Sequence, residues 1–523
     1  MPKLKKIAKS SKLQLLMREN KTSILLGLLI LAIALVLRLY NLSYLPIFGD
    51  EAIYIRWAQI MRVEPGLRFV PLSDGKQPLF MWSVIPFSKI FSDPLIAGRL
   101  VSVLSGVGTT LGVGILTYVL FKSKRASLIA ALIYAISPYA VFFDRMALVD
   151  SMLSFFGIWT LIFSVLTVRY FRLDYAMLAG FTLGGAFLTK SPAIFFALLI
   201  PFSLLLAPIK KDNFKRVIIK AAPLFFVTYI IGFGLYNILR LGPEFHMLSI
   251  RNKDYVYPLT HILQSPFNPL ITFIEASVNW FWKLGPSVFL PLASAGLLLN
   301  FRKYKSEILL LSTWVFIPWF ASAEYAKVFT ARYILYILPY LVILAASVFI
   351  MSRKGILKVF LFAFVMHATI VNIQILGNVE SAPLPRSERS GYLEEWTAGT
   401  GIKEISEYIR EQAKNLPAGR QVIVGTEGYF GTLPNGLQVY LNDIPEITVI
   451  GTGLDFTEVP ESLIESKEAG NKTYFVVNST RFLVNPEDIG LKVIKVYPKA
   501  ERPDGSRENM MFMEVKDNNF GDS

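Results

Sequence analysis

Eleven long apolar stretches before residue 380 constrain this chain more than any other feature of its sequence. A helix that crosses a bilayer needs about 20 mostly apolar residues, and each stretch approaches or reaches that length. Only 17% of the 523 residues are charged, against about 25% in water-soluble domains, which excludes an ordinary soluble enzyme. The predicted spans are residues 23–40, 96–121, 127–143, 149–168, 174–189, 193–208, 219–239, 281–300, 307–321, 333–350 and 356–376.

Positive charge collects in alternate connections between these spans, as expected of cytoplasmic loops. The part before Glu380 holds 38 Lys and Arg against 15 Asp and Glu, whereas the remainder holds 15 against 23. This pattern favours membrane topology over nucleic-acid binding as the origin of the net charge of +15. The predicted cytoplasmic connections contain Lys122, Lys124 and Arg125; Arg169 and Arg172; Lys210, Lys211, Lys215, Arg216 and Lys220; Arg302, Lys303 and Lys305; and Arg353 and Lys354.

The composition divides the chain into three predicted regions. Residues 1–22 form a basic cytoplasmic N-terminus, 23–377 a multi-span domain with 41–97 as its first external loop, and 378–523 an external water-soluble domain. The span at 23–40 has no small-residue cleavage site, so we expect an uncleaved anchor. The predicted fold class is therefore a membrane all-α bundle of about 11 transmembrane helices with a C-terminal soluble α/β domain. Its predicted strands are 422–425, 473–477, 493–496 and 511–515, and its predicted helices are 402–414 and 461–468.

Two adjacent carboxylates, Asp50 and Glu51, open a helical stretch that runs through Met61 in the first external loop. One interpretation is that an acidic side chain caps this helix while its neighbour interacts favourably with the first turn. The other is that one carboxylate accepts a proton from a substrate while the second orients it, because partial desolvation makes a carboxylate a stronger base. The two interpretations are compatible.

Several cations stand at the predicted external ends of spans. Lys76 precedes an amphipathic aromatic stretch, and Asp144 adjoins one of the arginines. Taken singly, each cation is explained as an interfacial anchor, and the Asp–Arg neighbours as a tie between two spans. Taken together with the acidic residues, they predict a phosphate-binding site, since Arg and Lys neutralise phosphate well. The other cations of this set are Arg99, Arg145, Lys190 and Arg332.

The sequence predicts no metal cage and no nucleotide site. The three histidines, His246, His261 and His367, form no close pair, and the chain has no cysteine. No phosphate-binding glycine loop and no nucleophile elbow occurs in a suitable setting.

Six motifs in a fixed order carry a family resemblance. They are Gly49-Asp50-Glu51-x-x-Tyr54, Lys76-x-Pro78-Leu79-x-x-Trp82, Ala97-Gly-Arg99-Leu-Val-Ser102, Arg145-Met-Ala-Leu-Val-Asp150, Leu188-Thr-Lys190-Ser-Pro192 and Arg332-Tyr-x-Leu-x-x-Leu-Pro339. Over roughly residues 20–350 the chain resembles the GT-C glycosyltransferases, and within them the bacterial protein O-mannosyltransferases and the lipid A aminoarabinose transferases. Two positions depart from the pattern: Gln77 stands where the family often has Pro, and Ile53 where aminoarabinose transferases tend to have Arg.

The resemblance implies transfer of a sugar from a polyprenyl-phosphate donor to a lipid, glycan or protein acceptor at the outer face of the plasma membrane, usually with inversion. Asp50 takes the place of the family's catalytic acid residue, Glu51 completes its Asp-Glu motif, Tyr54 matches an aromatic position, and Lys76 matches the lysine that meets the lipid phosphate. Arg99, Asp144, Arg145, Lys190 and Arg332 are then expected to help bind the phosphate or the sugar. Some members of the group use a divalent cation, and two carboxylates are too few ligands to decide this.

A transporter or lipid flippase is the main alternative, because it would also have many spans and intramembrane charges. Transport requires polar groups near the middle of the bilayer, whereas the charges here cluster at one predicted face. A scaffold that merely anchors the tail domain would not need eleven spans. The sequence therefore favours the glycosyltransferase.

Overall fold

The computed structural model shows a mainly helical chain with a small β-sheet near its C-terminus, which confirms the predicted fold class. It describes residues 2–208, 214–351 and 355–516, with side chains described from residue 21 onward except at 351. Four residues of the predicted basic connections lie outside the described residues: Lys210, Lys211, Arg353 and Lys354. The same holds for Met1 and for 517–523 at the end of the predicted external domain.

The helical region extends to Gly377. Its α-helices are α1 (Pro2–Leu39), α2 (Gly49–Val63), α3 (Leu79–Phe87), α4 (Pro94–Phe121), α5 (Lys124–Ile136), α6 (Pro138–Phe143), α7 (Val149–Tyr170), α8 (Leu173–Phe187), α9 (Ala193–Leu199), α10 (Phe214–Tyr236), α11 (Met247–Tyr255), α12 (His261–Gln264), α13 (Leu270–Leu284), α14 (Phe289–Asn300), α15 (Lys305–Tyr325), α16 (Leu338–Met351) and α17 (Gly355–Gly377). A 3-10 helix, Ala331–Ile337, leads directly into α16.

Within the described residues, seven helices are long and apolar enough to cross a membrane, and a bent pair raises the number to eight. The remaining three predicted spans correspond to shorter elements: α5 with α6, α8, and α9 with the 3-10 helix Ile200–Leu206 that follows it. The protein is thus a multi-pass membrane protein, and its approximate helix count agrees with the hydropathy pattern.

Prolines interrupt two of the predicted spans. The span predicted at 281–300 is instead the bent pair α13 and α14, which meet at 108° around Gly285 and Pro286. The span predicted at 127–143 divides into α5 and α6 at Ser137 and Pro138. Proline has no N–H to donate and disfavours helical geometry in the residue before it, so the helix ends there although the apolar run continues.

Glycine allows the closest approach between two of the packed helices. A Cβ atom on Gly296 of α14 would lie 1.9 Å from the carbonyl oxygen of Leu344 in α16. Small residues of this kind let helices in a membrane approach closely enough for van der Waals packing to hold them together.

The C-terminal region folds into a five-stranded mixed sheet flanked by helices. The strand order is β2-β1-β3-β5-β4, in which β1 is parallel to β2 and β3, while β5 is antiparallel to β3 and β4. Four strands and two helices occur where the sequence predicts them, and β2 is the strand that the prediction missed. The elements are α18 (Arg386–Arg389), α19 (Ile402–Lys414), β1 (Val422–Glu427), α20 (Asn435–Leu441), β2 (Ile447–Gly453), α21 (Glu461–Glu468), β3 (Lys472–Asn478), β4 (Leu491–Pro498) and β5 (Asn509–Val515).

The sheet region docks against α2 and the residues that precede it. The backbone N–H of Gly49 donates to the carbonyl of Thr397 at 3.0 Å, and the N–H of Gly399 donates to the carbonyl of Ile47 at 2.9 Å. Further along α2, the Gln59 side chain donates to the carbonyl of Val439 in α20 at 2.8 Å. The start of α2 therefore lies between the helical bundle and the C-terminal region.

Candidate functional site

The beginning of α2 holds the Asp50-Glu51 pair. Phe48 precedes the helix in an extended conformation, and its N–H donates to the Glu51 carboxylate at 3.0 Å. The sequence did not decide which carboxylate caps the helix, and in the structure Glu51 has this role. Asp50, one position earlier, points its carboxylate towards a cavity instead.

Glu51 is fully buried and is engaged by other groups. Its carboxylate accepts two hydrogen bonds from Arg99 of α4, at 2.8 and 2.7 Å, and one from the N–H of Ala147 at 2.6 Å. Arg99 also donates to the carbonyls of Leu42 and Leu45. The sequence predicts that Glu51 orients a reacting group and that Arg99 helps to bind the donor. In the structure, the hydrogen bonds between these two side chains fasten α2 to α4.

Asp144 and Arg145 are likewise engaged within the helical bundle, in line with the interpretation of this pair as a tie between spans. Asp144 is buried in an ion pair with Arg38 of α1, with 2.9 Å between nitrogen and oxygen, and does not pair with its neighbour. Arg145 donates to the carbonyls that end α1, at Leu37, Arg38, Tyr40 and Asn41. Neither side chain lines the cavity that Asp50 faces.

The other five predicted residues converge on one open cavity of about 370 Å³. Arg332 approaches Asp50 to 2.5 Å in an ion pair whose two side chains are 12% and 30% exposed. The cavity contains these two residues together with Tyr54, Lys76 and Lys190, and its remaining lining residues are Gln77, Val149, Asp150, Thr189 and Tyr333.

A second ion pair lies in the same cavity. Lys190 donates to the Asp150 carboxylate at 2.6 Å, and its ammonium also lies 4.2 Å from the centre of the Tyr333 ring. In the sequence, Asp150 stands out only as the last residue of a motif, and no role is predicted for Tyr333. Their position next to Lys190 and Arg332 depends on the packing of α7 against the start of the 3-10 helix, so the only signal in the sequence was their presence in the motifs.

Helix α11 covers the loop that carries Lys76. The Lys76 ammonium lies 4.6 Å from the centre of the Tyr255 ring and 3.5 Å from its hydroxyl. Gly75 has a φ of 66°, and a Cβ there would lie 2.5 Å from the Cβ of Arg251, so the turn requires glycine. Arg251 in turn binds Asp74 at 2.7 Å. Lys76 is therefore presented by a tight turn that α11 holds in place.

The charges around Asp50 determine its protonation state. Burial by itself raises the pKa of this carboxyl group, but the positive charges of Arg332, Lys76 and Lys190 more than offset that effect, so its pKa lies below the ordinary value. Burial raises the pKa of Tyr54 well above its ordinary value, and the neighbouring Asp50 raises it further. At neutral pH the cavity thus contains an ionised aspartate beside a neutral phenol.

The loop histidines do not line the cavity. His246 is exposed and lies 3.7 Å from Glu244, and His261 stacks on Tyr257. Among the described residues, no group of three or more His, Cys, Asp or Glu side chains is arranged to hold a metal ion. The two carboxylates of the cavity each bind a cationic side chain, Asp50 with Arg332 and Asp150 with Lys190.

Known proteins resemble this chain in both sequence pattern and fold. The family model described as dolichyl-phosphate-mannose-protein mannosyltransferase matches residues 75–235, which include Lys76, Asp150 and Lys190. No curated protein sequence matches the chain significantly.

Two similar solved structures extend the comparison over nearly the whole chain. ArnT from Cupriavidus metallidurans bound to undecaprenyl phosphate has a TM-score of 0.56 at 16% identity, covering 93% of this chain and 97% of that one. AglB, an archaeal oligosaccharyltransferase from Archaeoglobus fulgidus in complex with an inhibitory peptide and a dolichol-phosphate, has a TM-score of 0.51 at 12% identity, covering 97% and 75%. At these identities the likeness establishes a common fold. The chain thus has the GT-C fold and resembles the dolichyl-phosphate-mannose-protein mannosyltransferase family, which confirms the resemblance found in its sequence motifs.

Proposed function

We propose that this protein is an integral membrane glycosyltransferase that moves a sugar from a polyprenyl-phosphate donor to an acceptor at the outer face of the plasma membrane. The acceptor is a lipid, a glycan or a protein, and transfer inverts the anomeric configuration. Asp50 acts as the general base. No nucleotide takes part, because the phosphate of the lipid carrier is itself the leaving group.

The charge balance of the cavity is the observation that carries this proposal. Lys76, Lys190 and Arg332 supply three positive charges, and Asp50 and Asp150 supply two negative charges. One positive charge is left over, which matches the single negative charge of a phosphodiester-linked sugar. A lipid-linked donor also needs apolar surface for its tail, and the surrounding helices supply it.

The comparisons support a lipid-linked donor. ArnT from Cupriavidus metallidurans binds undecaprenyl phosphate, and AglB from Archaeoglobus fulgidus binds a dolichol-phosphate. The matched family is described by a dolichyl-phosphate-mannose donor. All three descriptions share a monophosphate on a polyprenyl chain, and the excess charge of the cavity suits that group.

In the proposed reaction, an acceptor hydroxyl oxygen attacks the anomeric carbon of the donor sugar from the side opposite the phosphate. The new carbon–oxygen bond forms as the bond to the phosphate oxygen breaks, through an oxocarbenium-like state. The proton of the hydroxyl passes to Asp50, and polyprenyl phosphate leaves with the bonding electron pair.

The cationic side chains have two tasks in this scheme. Lys76, Lys190 and Arg332 stabilise the charge that grows on the departing phosphate, because they are fixed before the reaction begins. When the donor phosphate binds Arg332, it also competes with Asp50 for this partner and leaves the carboxylate free to accept a proton. Tyr54 remains neutral and supplies a hydroxyl that can donate to the sugar or the phosphate.

The same scheme needs no resident metal ion, since Lys and Arg side chains supply the positive charge at the phosphate. We therefore expect transfer to continue after treatment with a chelator. We further propose that the N-terminus and the basic connections are cytoplasmic, while the cavity and residues 378–523 are external.

Incubation of the purified protein with polyprenyl-phosphate sugars and candidate acceptors tests the proposal directly. Mass spectrometry should detect a glycosylated product together with free polyprenyl phosphate in equal amounts. Solute uptake into proteoliposomes without any sugar transfer would instead favour the transporter.

A further inference from the structure

The backbone of Ala331, which immediately precedes Arg332, is held at both of its peptide groups. Its N–H donates to the carboxylate of Glu388 at 2.9 Å, and its carbonyl accepts from the hydroxyl of Tyr139 at 2.5 Å. Tyr139 belongs to α6 in the helical bundle, whereas Glu388 belongs to α18, beyond the last span. The position of Arg332 is therefore set jointly by the bundle and by the C-terminal region.

Glu388 is in an unusual environment for a carboxylate. It is 2% exposed, and burial raises its pKa above the ordinary value. Burying a carboxylate is costly unless it makes strong hydrogen bonds, and this one accepts from the first N–H of the helix that continues into α16. Thr330, which precedes this helix, makes no side-chain cap, so Glu388, 57 positions after Ala331, satisfies an N–H of the helix N-terminus instead.

The segment that carries Glu388 is itself fastened to the sheet region. The Lys499 ammonium donates to the carbonyl of Glu395 at 2.9 Å, and Arg502 binds the Glu395 carboxylate with two hydrogen bonds at 3.1 and 3.0 Å. On its other side, the ring of Tyr392 lies 4.4 Å from that of Phe48, just before Asp50. The segment thus connects the sheet to the residues beside the cavity.

From this arrangement we infer that Glu388 is a positioning residue for Arg332, and that through it the C-terminal region helps to set the geometry of the cavity. The inference rests on the proposed function for its consequence on catalysis. Glu388 does not line the cavity, so it acts through the backbone of Ala331 and not on the substrate. A displaced Arg332 side chain would weaken both its ion pair with Asp50 and its contact with the donor phosphate.

The test compares three variants of the full-length protein. Glu388→Ala removes the acceptor for the Ala331 N–H, whereas Glu388→Gln keeps an acceptor oxygen and removes only the charge. Glu427→Gln is the matched control, because Glu427 is a comparably buried carboxylate of the C-terminal region that accepts a backbone N–H, but from Asn478 and not from Ala331.

Two readouts are measured on each variant. The first is modification of Arg332 by phenylglyoxal, followed by peptide mass spectrometry, which reports the position of this side chain whether or not the protein is active. The second is kcat and KM for sugar transfer from a polyprenyl-phosphate sugar. We expect Glu388→Ala to increase modification of Arg332 several-fold and to lower kcat by about 10- to 100-fold, since a shift of about 1 Å costs an enzyme about that much. Glu388→Gln should restore both values to near those of the parent.

Three results would overturn the inference. They are parental modification and turnover in Glu388→Ala, equal losses in the Gln and Ala variants, or the same pattern in Glu427→Gln. If Glu388→Ala does not fold, Glu388→Asp takes its place, because its shorter side chain withdraws from Ala331 while the charge remains. If the parent transfers no sugar, the proposed function fails, and the modification of Arg332 still decides whether Glu388 positions it.

Discussion

As the proposed general base, Asp50 has to meet two opposing requirements: it must be ionised at neutral pH and still accept a proton from the acceptor. Three cations line its cavity and keep its pKa low, while burial acts in the opposite direction. Arg332 is the cation in direct contact with the carboxylate. The behaviour of Asp50 is therefore expected to depend on whether Arg332 binds the carboxylate or the donor phosphate.

Replacing Asp50 by Asn should reduce sugar transfer by about 10²- to 10⁴-fold, because the amide cannot accept the proton from the acceptor. Transfer is measured by mass spectrometry of the product, and membrane insertion by recovery of the protein in the membrane fraction after carbonate extraction. Asp174→Asn is the matched control, since Asp174 forms an exposed ion pair with Arg172 away from the cavity. Parental turnover in Asp50→Asn would reject Asp50 as the base.

The pH dependence of transfer should change when Arg332 is replaced by Gln. A carboxylate base is active above its pKa, and activity is lost as the pH falls through that value. Removing Arg332 removes the largest influence that lowers the pKa of Asp50 and leaves the effect of burial, so the pKa rises. The acidic limb of the kcat/KM profile should move to higher pH, whereas Arg172→Gln should leave it in place. An acidic limb that stays or moves to lower pH would contradict this assignment.

At the scale of the elements, buried ion pairs and close glycine contacts hold the helices around the cavity. Arg99 ties α4 to α2, Arg38 ties α1 to the residues after α6, and Arg145 binds the end of α1. Arg99 and Arg38 pair with buried carboxylates, and Arg145 donates to backbone carbonyl oxygens, which is consistent with the high cost of a buried charge without polar partners. These arginines thus serve the arrangement of the helices, although their motifs suggest substrate binding.

Gly296→Ala should destabilise the bundle, because the added Cβ would lie 1.9 Å from a backbone carbonyl of α16 that cannot turn away. Overpacking of this kind costs about 1–3 kcal/mol. Thermal unfolding in detergent, followed by intrinsic tryptophan fluorescence, measures the effect as a lower Tm. Gly66→Ala is the control, since no atom lies within 4 Å of the added Cβ. An unchanged Tm in Gly296→Ala would show that α14 and α16 do not pack as described.

At the scale of the whole molecule, the C-terminal region is joined to the helical bundle beside the cavity. The backbone pairing between Gly49 and Thr397 and the hydrogen bond between Glu388 and Ala331 place parts of this region next to Asp50 and Arg332. A domain that was connected to the bundle only through the last span would not make such contacts. The orientation of this region across the membrane therefore also decides on which side the reaction takes place.

Cysteine labelling tests the proposed orientation, and the natural absence of cysteine makes the background clean. Glu468→Cys lies on the exposed end of α21, and Arg302→Cys lies in an exposed basic connection between α14 and α15. A membrane-impermeant maleimide applied to intact cells should label the first variant and not the second, which should react only after permeabilisation. Labelling in the opposite order would reverse the proposed topology.

The sequence alone determined the class of the molecule. Hydropathy and the placement of Lys and Arg are local properties, so they predicted a multi-span bundle, its proposed orientation and the α/β character of the tail. The order of the motifs also selected Asp50, Lys76, Lys190 and Arg332, which share one cavity. The structure changed individual spans, for example at the proline breaks, because an apolar run does not show where a helix must end.

Packing in three dimensions determines which charged side chains face the cavity and which are buried in ion pairs within the bundle. Asp144 lies next to Arg145 in sequence but pairs with Arg38, 106 residues away, and Asp50 pairs with Arg332 at a separation of 282. Helix packing brings together ion-pair partners at such separations in the chain, and no local sequence pattern encodes this packing. The energy of a charge depends on its nearest neighbours in space, so residues of the same type serve the fold at one position and face the cavity at another.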